Sequence, residues 1–423
     1  MRRLSRTSAF SRIIALAGMR PVHSAFAWLH GNPKTIMDWQ MELCGIPAPP
    51  FGERARAEWL VAQFRAMGLA QVETDAVGNV RAFLPAPHLS AESTGAIVLL
   101  SAHLDTVFPA ETALRPRLRQ TGTGERLEAP GACDNAAGVV GMLAVAKALT
   151  QAGAKLPAPL LFVGNVGEEG EGDLRGMRHL YAENGLAGRI AAHIVLDGAG
   201  ADSAVTRALG SRRYRITIAG PGGHSFTDAG TVNPIAAMAT VLSVLAATRL
   251  PEEPRTTLNL GTIHGGTSVN SIPESVTVTV DFRSTASEEL LRLEVALHRA
   301  VEDVVDLWNI KARTAGTHSR GALRFSIECI GERPAAQLPE DSPLLDALRA
   351  VDRHLGLQTG ERLGSTDANI PLSLGVPALA MGAGGEGGGA HTLAEWYAPK
   401  DREAGLRRVL LLTLAMVEWA AEL

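Results

Sequence analysis

Leu160-Leu-Phe-Val-Gly-Asn-Val-Gly-Glu-Glu-Gly-Glu-Gly172 decides how the chain is read. Leu160 to Val163 is an apolar run, the pattern of a buried strand. It breaks into a Gly-punctuated turn that carries two adjacent carboxylates, Glu168 and Glu169. Neighbouring side chains in an extended turn point in different directions. One carboxylate can therefore bind something while the other acts beside it. Burying either is costly unless it is paired or binds a metal. A lone Glu-Glu pair is more simply a solvated acidic turn, so the flanking chain has to decide.

Upstream, Ala96 to Leu100 is a second apolar run, and it leads straight into Ser101-Ala-His-Leu-Asp105. Gly131-Ala-Cys-Asp-Asn135 follows and opens a long helix, Ala136 to Leu149. Downstream, Ile194-Val-Leu196 is a third strand, ending at Asp197. Strands alternating with helices predict a mixed, mainly parallel α/β sheet with helices on both faces. In such sheets ligands bind at the carboxyl ends of the strands. His103, Asp105, Glu168, Glu169 and Asp197 all fall just after an apolar run. Before them, the chain from about Asn32 to Leu69 has helical spacing, broken by Ile46-Pro-Ala-Pro-Pro-Phe-Gly52.

Beyond Asp197 the pattern changes. Tyr214 to Ile218 alternates as a strand, and Pro221-Gly-Gly-His-Ser225 reads as a turn. Asn233 followed by Pro234 is a helix start, continued by Ile235 to Ala247. Strands fit Thr257 to Ile263, Ser275 to Phe282 and Arg324 to Ile330, with a helix from about Glu288 to Leu307. That order is the split βαβ, ferredoxin-like unit. The α/β pattern resumes with a helix at Pro343 to Leu355, a strand at Val376 to Met381 and a last helix at Lys400 to Ala421. The expected layout is a basic helical extension (1–30), a first α/β part (31–210), an inserted α+β domain (211–333) and a second α/β part (334–423).

The chain has 423 residues, 46% hydrophobic and 20% charged, enough for two domains with sizeable cores. Forty basic and 44 acidic residues give a net charge of −4, which offers no electrostatic reason for a nucleic-acid or membrane partner. Cys44, Cys133 and Cys329 show no metal-ligand spacing, and the odd count argues against a disulfide framework. A reducing, cytoplasmic location is the simplest expectation. The first acidic residue is Asp38, and five arginines precede it. Export or transit is the alternative reading of that segment, but no small-residue cleavage site follows Ile13-Ile-Ala-Leu-Ala17. No apolar run approaches the ~20 residues that span a bilayer.

His103, Asp134, Glu169, Asp197 and His391 are the candidate metal ligands. Two imidazoles and three carboxylates suit two zinc ions with one carboxylate between them, and the same set accepts Co2+ or Mn2+. Asp105, two residues after His103, is placed to hold the other imidazole nitrogen. Gly382-Ala-Gly-Gly-Glu-Gly-Gly-Gly389 lacks the Lys-Ser/Thr ending of a phosphate loop. It reads instead as a flexible loop presenting His391. Cys133 reads as a small buried filler, and Asp367 is left open between a structural role and one beside the ligands.

With these residues together, the chain resembles the co-catalytic zinc hydrolases that include peptidase T, glutamate carboxypeptidase, acetylornithine deacetylase and succinyl-diaminopimelate desuccinylase. The resemblance runs from about Trp28 to the C-terminus. It rests on Ser101–Asp105, Gly131–Asn135, Gly167-Glu-Glu-Gly170, Asp197, Gly222-Gly-His-Ser225, Asn270-Ser-Ile-Pro273, Asp281-Phe-Arg283, Gly364-Ser-Thr-Asp367 and His391. It implies a zinc-peptidase catalytic domain with an inserted lid and dimerisation domain. His103 and Asp197 would bind one zinc, Glu169 and His391 the other, and Asp134 would bridge both with a cis bond to Asn135. Glu168 would be the general acid/base on the water between the metals. His224 would reach the active site of the other subunit of a homodimer and stabilise the oxyanion. Asn270, Arg283 and Thr366 would hold polar or carboxylate groups of the substrate, although a strand salt bridge is an equal reading of Arg283.

Ile46-Pro-Ala-Pro-Pro and Gly220-Pro-Gly-Gly-His-Ser-Phe226 lean towards peptidase T. They predict hydrolysis of short peptides, with release of an N-terminal residue. A carboxypeptidase or N-acyl-amino-acid deacylase is the alternative within the family. A non-catalytic binding relative is the alternative outside it, and it would have lost ligands or base, all of which are present here.

Overall fold

The computed structural model describes residues 6–84, 95–122, 124–182, 186–314 and 321–423. The chain divides into two compact units, one formed by Met1–Ala208 with Gln337–Leu423, the other by Leu209–Ala336.

In the first unit the three apolar runs lie side by side. Strand Ile97–His103 sits between Leu160–Asn165 and Ile190–Leu196 and is parallel to both. Ala378–Met381 continues the parallel order beyond Ile190–Leu196. Every residue of Ile97–His103 and Leu160–Asn165 is buried, because helices cover both faces of the sheet. One face packs Ile97, Leu99, Leu161 and Val163 against Leu174, Met177 and Leu180. The other packs against helices Ala136–Gln151 and Arg402–Ala420. The sheet is mixed at its margins: Val80–Leu84 runs antiparallel to Leu160–Asn165, and Ser203–Ala208 antiparallel to Ala378–Met381. A second, smaller sheet pairs hairpin Arg117–Thr121/Gly124–Glu128 with Trp396–Ala398 and Glu386–Gly388.

The N-terminal segment forms two helices, Arg6–Ala17 and Arg20–Gly31. They are not a loose extension. Ile13, Leu16, Val22 and Leu29 are buried, against helices Pro343–Leu355 and Ala136–Gln151. Ion pairs Arg12–Glu422 and His30–Glu403 fasten the rim. Among the described residues no helix is long and apolar enough to cross a membrane.

In the second unit four antiparallel strands lie in the order Thr256–Gly265, Ser275–Ser284, Gly210–Ala219, Arg324–Arg333. Helices Pro234–Ala246 and Ser287–Thr314 cover one face, where Tyr214, Ile216, Ile218, Val278 and Phe282 meet Val241, Leu245, Leu297 and Val301. Asn233 caps the first helix by accepting from the Ala236 amide at 3.2 Å. The segment read as a plain turn at Pro221–Ser225 instead forms a short pairing: Gly223–His224 lies antiparallel to Ser271–Ile272. The Ser225 amide donates to the Asn270 carbonyl at 3.0 Å, so two distant motifs share one loop pair.

The glycine run 382–389 also differs from a flexible loop. Glu386–Gly388 is a strand paired with Trp396–Ala398. A Cβ at Gly382 would strike the Ala199 carbonyl, at Gly385 the Tyr397 hydroxyl, and at Gly387 the Cys133 sulfur. These glycines allow close backbone packing, which explains their density better than mobility does.

Candidate metal centre

Three parallel strands of the sheet lead into titratable side chains. His103 is the last residue of its strand, Glu168 and Glu169 follow Asn165, and Asp197 follows Leu196. Asp134 precedes helix Ala136–Gln151, and its peptide bond to Asn135 is cis. Asn135 seats that helix: its Oδ1 accepts from the Gly138 and Gly198 amides, and its Nδ2 donates to the Leu196 carbonyl.

The donor atoms converge. His103 Nε2 lies 3.1 Å from Asp134 Oδ1 and 3.9 Å from Asp197 Oδ1. His391 Nε2 lies 3.0 Å from Asp134 Oδ2 and 3.1 Å from Glu169 Oε1. The ligating atoms of His103, Asp134 and Asp197, and separately of Asp134, Glu169 and His391, all fall within 4.8 Å of one another. His103, Glu168 and Glu169 form a third such group. Asp134 thus faces one imidazole with each carboxylate oxygen.

Electrostatics say that this cluster wants cations. Burial and the neighbouring Glu168 carboxylate push Glu169 up to about 8. The bond to Asp134 carries His391 up to about 9, against the effect of burial. Burial opposes charge on His103, yet the nearby Asp105 and Asp134 carboxylates hold it well above the ordinary imidazole range. Burial likewise opposes charge on Asp134, but the two imidazoles hold it below the usual carboxylate range. Asp134 Oδ1 is buried with no hydrogen bond beyond its charged neighbours. A clustered carboxylate–imidazole set of this kind fits divalent metal ions.

Asp105 is used differently from the expectation. His103 Nδ1–H donates to the Asp105 backbone carbonyl at 3.1 Å, while the carboxylate stands 3.7 Å away. That carboxylate accepts instead from the Glu168 and Glu169 amides, at 3.0 and 2.7 Å. It therefore fixes the turn that carries both glutamates, because a buried carboxylate takes the nearest donors.

Sequence reading missed Glu395. This residue is almost fully buried and accepts from the amides of Gly131, Cys133 and Asp134 at 2.7, 2.8 and 2.7 Å. A carboxylate inside Leu393-Ala-Glu-Trp-Tyr397, four residues after His391, was the available signal. Asp367 is also fully buried. It accepts from Asn165 Nδ2 at 2.7 Å, and burial together with Glu168 holds it well above the carboxylate range.

The Thr366 hydroxyl accepts from the Ala368 amide at 3.1 Å and is mostly buried. In the second unit, Arg283 pairs with Asp281 at 2.7 Å, and Asn270 accepts from the Ser268 hydroxyl at 3.0 Å. His224 is exposed, and its Nδ1 accepts from the Phe226 and Thr227 amides at 3.2 and 3.3 Å. The proton of neutral His224 then sits on Nε2, which points a donor outward.

Residues 99–415 match the model of peptidase family M20/M25/M40. The chain belongs to this family. It is 28% identical over 275 residues to a probable carboxypeptidase of Aspergillus clavatus. That match takes in 60% of this chain, and the chain spans only 59% of that curated relative's length. Among solved structures, the fold is similar to aminopeptidase PepT of Bacillus cereus, with a TM-score of 0.69 and 19% identity over 91% of this chain and 98% of the other. It is also similar to the Bacillus subtilis YXEP protein, described as a dinuclear metal-binding peptidase of the M20 family, with a TM-score of 0.62 and 16% identity over 91% and 98%. The α/β sheet with helices on both faces is the architecture this M20 chain shares with them.

Proposed function

We propose that this M20-family chain hydrolyses the amide bonds of short peptides with two zinc ions, His103 and Asp197 holding one, Glu169 and His391 the other, and Asp134 both. The observation that carries the reading is the position of Asp134, with an imidazole close to each of its oxygens and a further carboxylate beside each imidazole. Zinc bound there supplies a lowered pKa for water, about 7, and polarises the scissile carbonyl.

The protein's own groups do the rest. Glu168 follows the strand end, is buried, and has its amide fixed by Asp105. It takes the proton of the attacking water and returns it to the leaving amine, a contribution of roughly 10²–10⁴ in rate. Asp105 and Glu395 keep the segments carrying Glu168, Glu169 and Asp134 still. His224 Nε2–H is the oxyanion donor, supplied across a homodimer joined through Leu209–Ala336. Thr366, Asn270 and Arg283 are the polar contacts to the substrate ends. The short-peptide assignment follows the peptidase T likeness, and the Aspergillus relative's name favours the carboxypeptidase alternative on one point, the end at which cleavage occurs.

The test is a screen of zinc-loaded protein against dipeptides, tripeptides and N-acyl amino acids, with Glu168→Gln in parallel. The expected outcome is about two metal ions per chain in both proteins, with hydrolysis by Glu168→Gln lower by roughly 10²–10⁴ or more. Normal turnover by Glu168→Gln would remove the general-base role, and no hydrolysis by the native chain would remove the activity itself.

A further inference from the structure

The hairpin Arg117–Thr121/Gly124–Glu128 bears a charge pattern that the metal centre does not use. Register pairs Arg119 with Arg126 and Arg117 with Glu128, so all four side chains share one face. Like charges directly opposite on paired strands are unfavourable. Glu128 is already engaged by Arg119 at 2.9 Å. Among the described residues, Arg115, Arg117 and Arg126 have no carboxylate partner. Arg126 is nonetheless held in place: its guanidinium lies 4.1 Å from the centroid of the Trp396 ring. Its Nε is buried without a hydrogen-bond partner. Only its terminal nitrogens can meet a ligand in the cleft, and a guanidinium held in place by a ring is pre-organised to bind a carboxylate.

These arginines line a cleft of about 590 Å³ whose other walls include Glu128, Pro130 and Leu393. The cleft adjoins the centre through the chain itself. Pro130 precedes the Gly131–Asp134 segment, Leu393 follows His391 by two residues, and Glu395 belongs to both the wall and the cradle of Asp134. The Glu395 carboxylate is occupied by three amides and that of Glu128 by Arg119, which leaves Arg115, Arg117 and Arg126 as the charged groups open to a ligand.

We propose that this cleft is a carboxylate-binding subsite for an acidic residue of the peptide substrate, a claim that rests on the peptidase reading above. Peptides bearing Glu or Asp are then the preferred class.

Two measurements test it. Metal-free protein is titrated with glutarate, in native form and as Arg117→Met and Arg117→Met/Arg126→Met, each checked for native thermal unfolding. Metal-loaded protein is assayed on tripeptides carrying Glu or Gln at each position in turn. The expected results are glutarate binding weakened about 10–100-fold in the double variant, and a Glu-over-Gln preference in kcat/KM that falls by a similar factor. The single variant, on an exposed strand, should show the same direction if the double variant is too unstable to read. Arginine-dependent glutarate binding without hydrolysis of any peptide would retain the subsite and overturn the peptidase reading. Hydrolysis with equal rates on Glu and Gln peptides, and glutarate binding that ignores the substitutions, would overturn the subsite and leave the peptidase reading standing.

Discussion

Asp134 has its backbone held by one carboxylate, Glu395, while its own carboxylate faces His103 and His391. A residue shared in this way fails differently from its neighbours. Asp134→Ala is expected to disturb both metal sites, whereas His391→Ala, whose side chain is about half exposed, should weaken mainly one. Stepwise metal titration checks this, and a clean loss of a single ion from Asp134→Ala would contradict a shared ligand. Glu395 supplies a second comparison. Glu395→Gln turns one acceptor oxygen towards a donor and leaves buried amides short of partners, at about 1–3 kcal/mol. Metal affinity should fall roughly 10–100-fold, as for other groups that orient ligands. Chelator competition measures the affinity and thermal unfolding the stability. Glu395→Asp should recover part of both.

At the scale of elements, legibility followed burial. The runs at Ala96–Leu100, Leu160–Val163 and Ile194–Leu196 could be read because strands covered on both faces need apolar residues throughout. Arg117–Thr121 is fully exposed and Gly360–Gly364 mostly so. Neither was read, because pairing rather than hydrophobicity makes them strands. His103, Glu169 and Asp197 stood out as candidates because they end or follow apolar strands. Glu395 did not, since its partners are amides more than 250 residues away. The glycine run was misread because its need is for space, and space is invisible in one dimension. Gly387→Ala would push a methyl group into Cys133 Sγ and should cost about 1–3 kcal/mol. Cys133→Ala in the same chain should recover part of that loss. A double-mutant cycle by urea unfolding reads the coupling, and simple additivity would argue against the contact.

At the scale of the whole molecule the proposed dimer makes a sharper prediction than its mere existence. His224 presents Nε2–H because its Nδ1 is taken by two amides. His224→Ala should retain fold and metal while kcat falls about 10²–10³-fold, the typical effect of losing one oxyanion donor. Mixing it with Glu168→Gln should restore some activity, because a mixed dimer has one site with both groups intact. No recovery after demonstrated subunit exchange, or a fully active monomer, would remove the cross-subunit role.

The division of the chain also bears on how it is made. Leu209–Ala336 is one continuous stretch, so on a ribosome it can complete its sheet as soon as it emerges, domains generally folding as units during synthesis. The unit that carries the candidate metal ligands cannot. Its sheet lacks Ala378–Met381, Asp134 lacks its partner Glu395, and one imidazole is missing until residue 391 has been added. A metal ion arriving early would find His103, Asp134, Glu169 and Asp197 on a half-built scaffold. Assembly of the proposed centre then waits until residues 391 and 395 have been added, and a chain stalled before His391 would lack that imidazole.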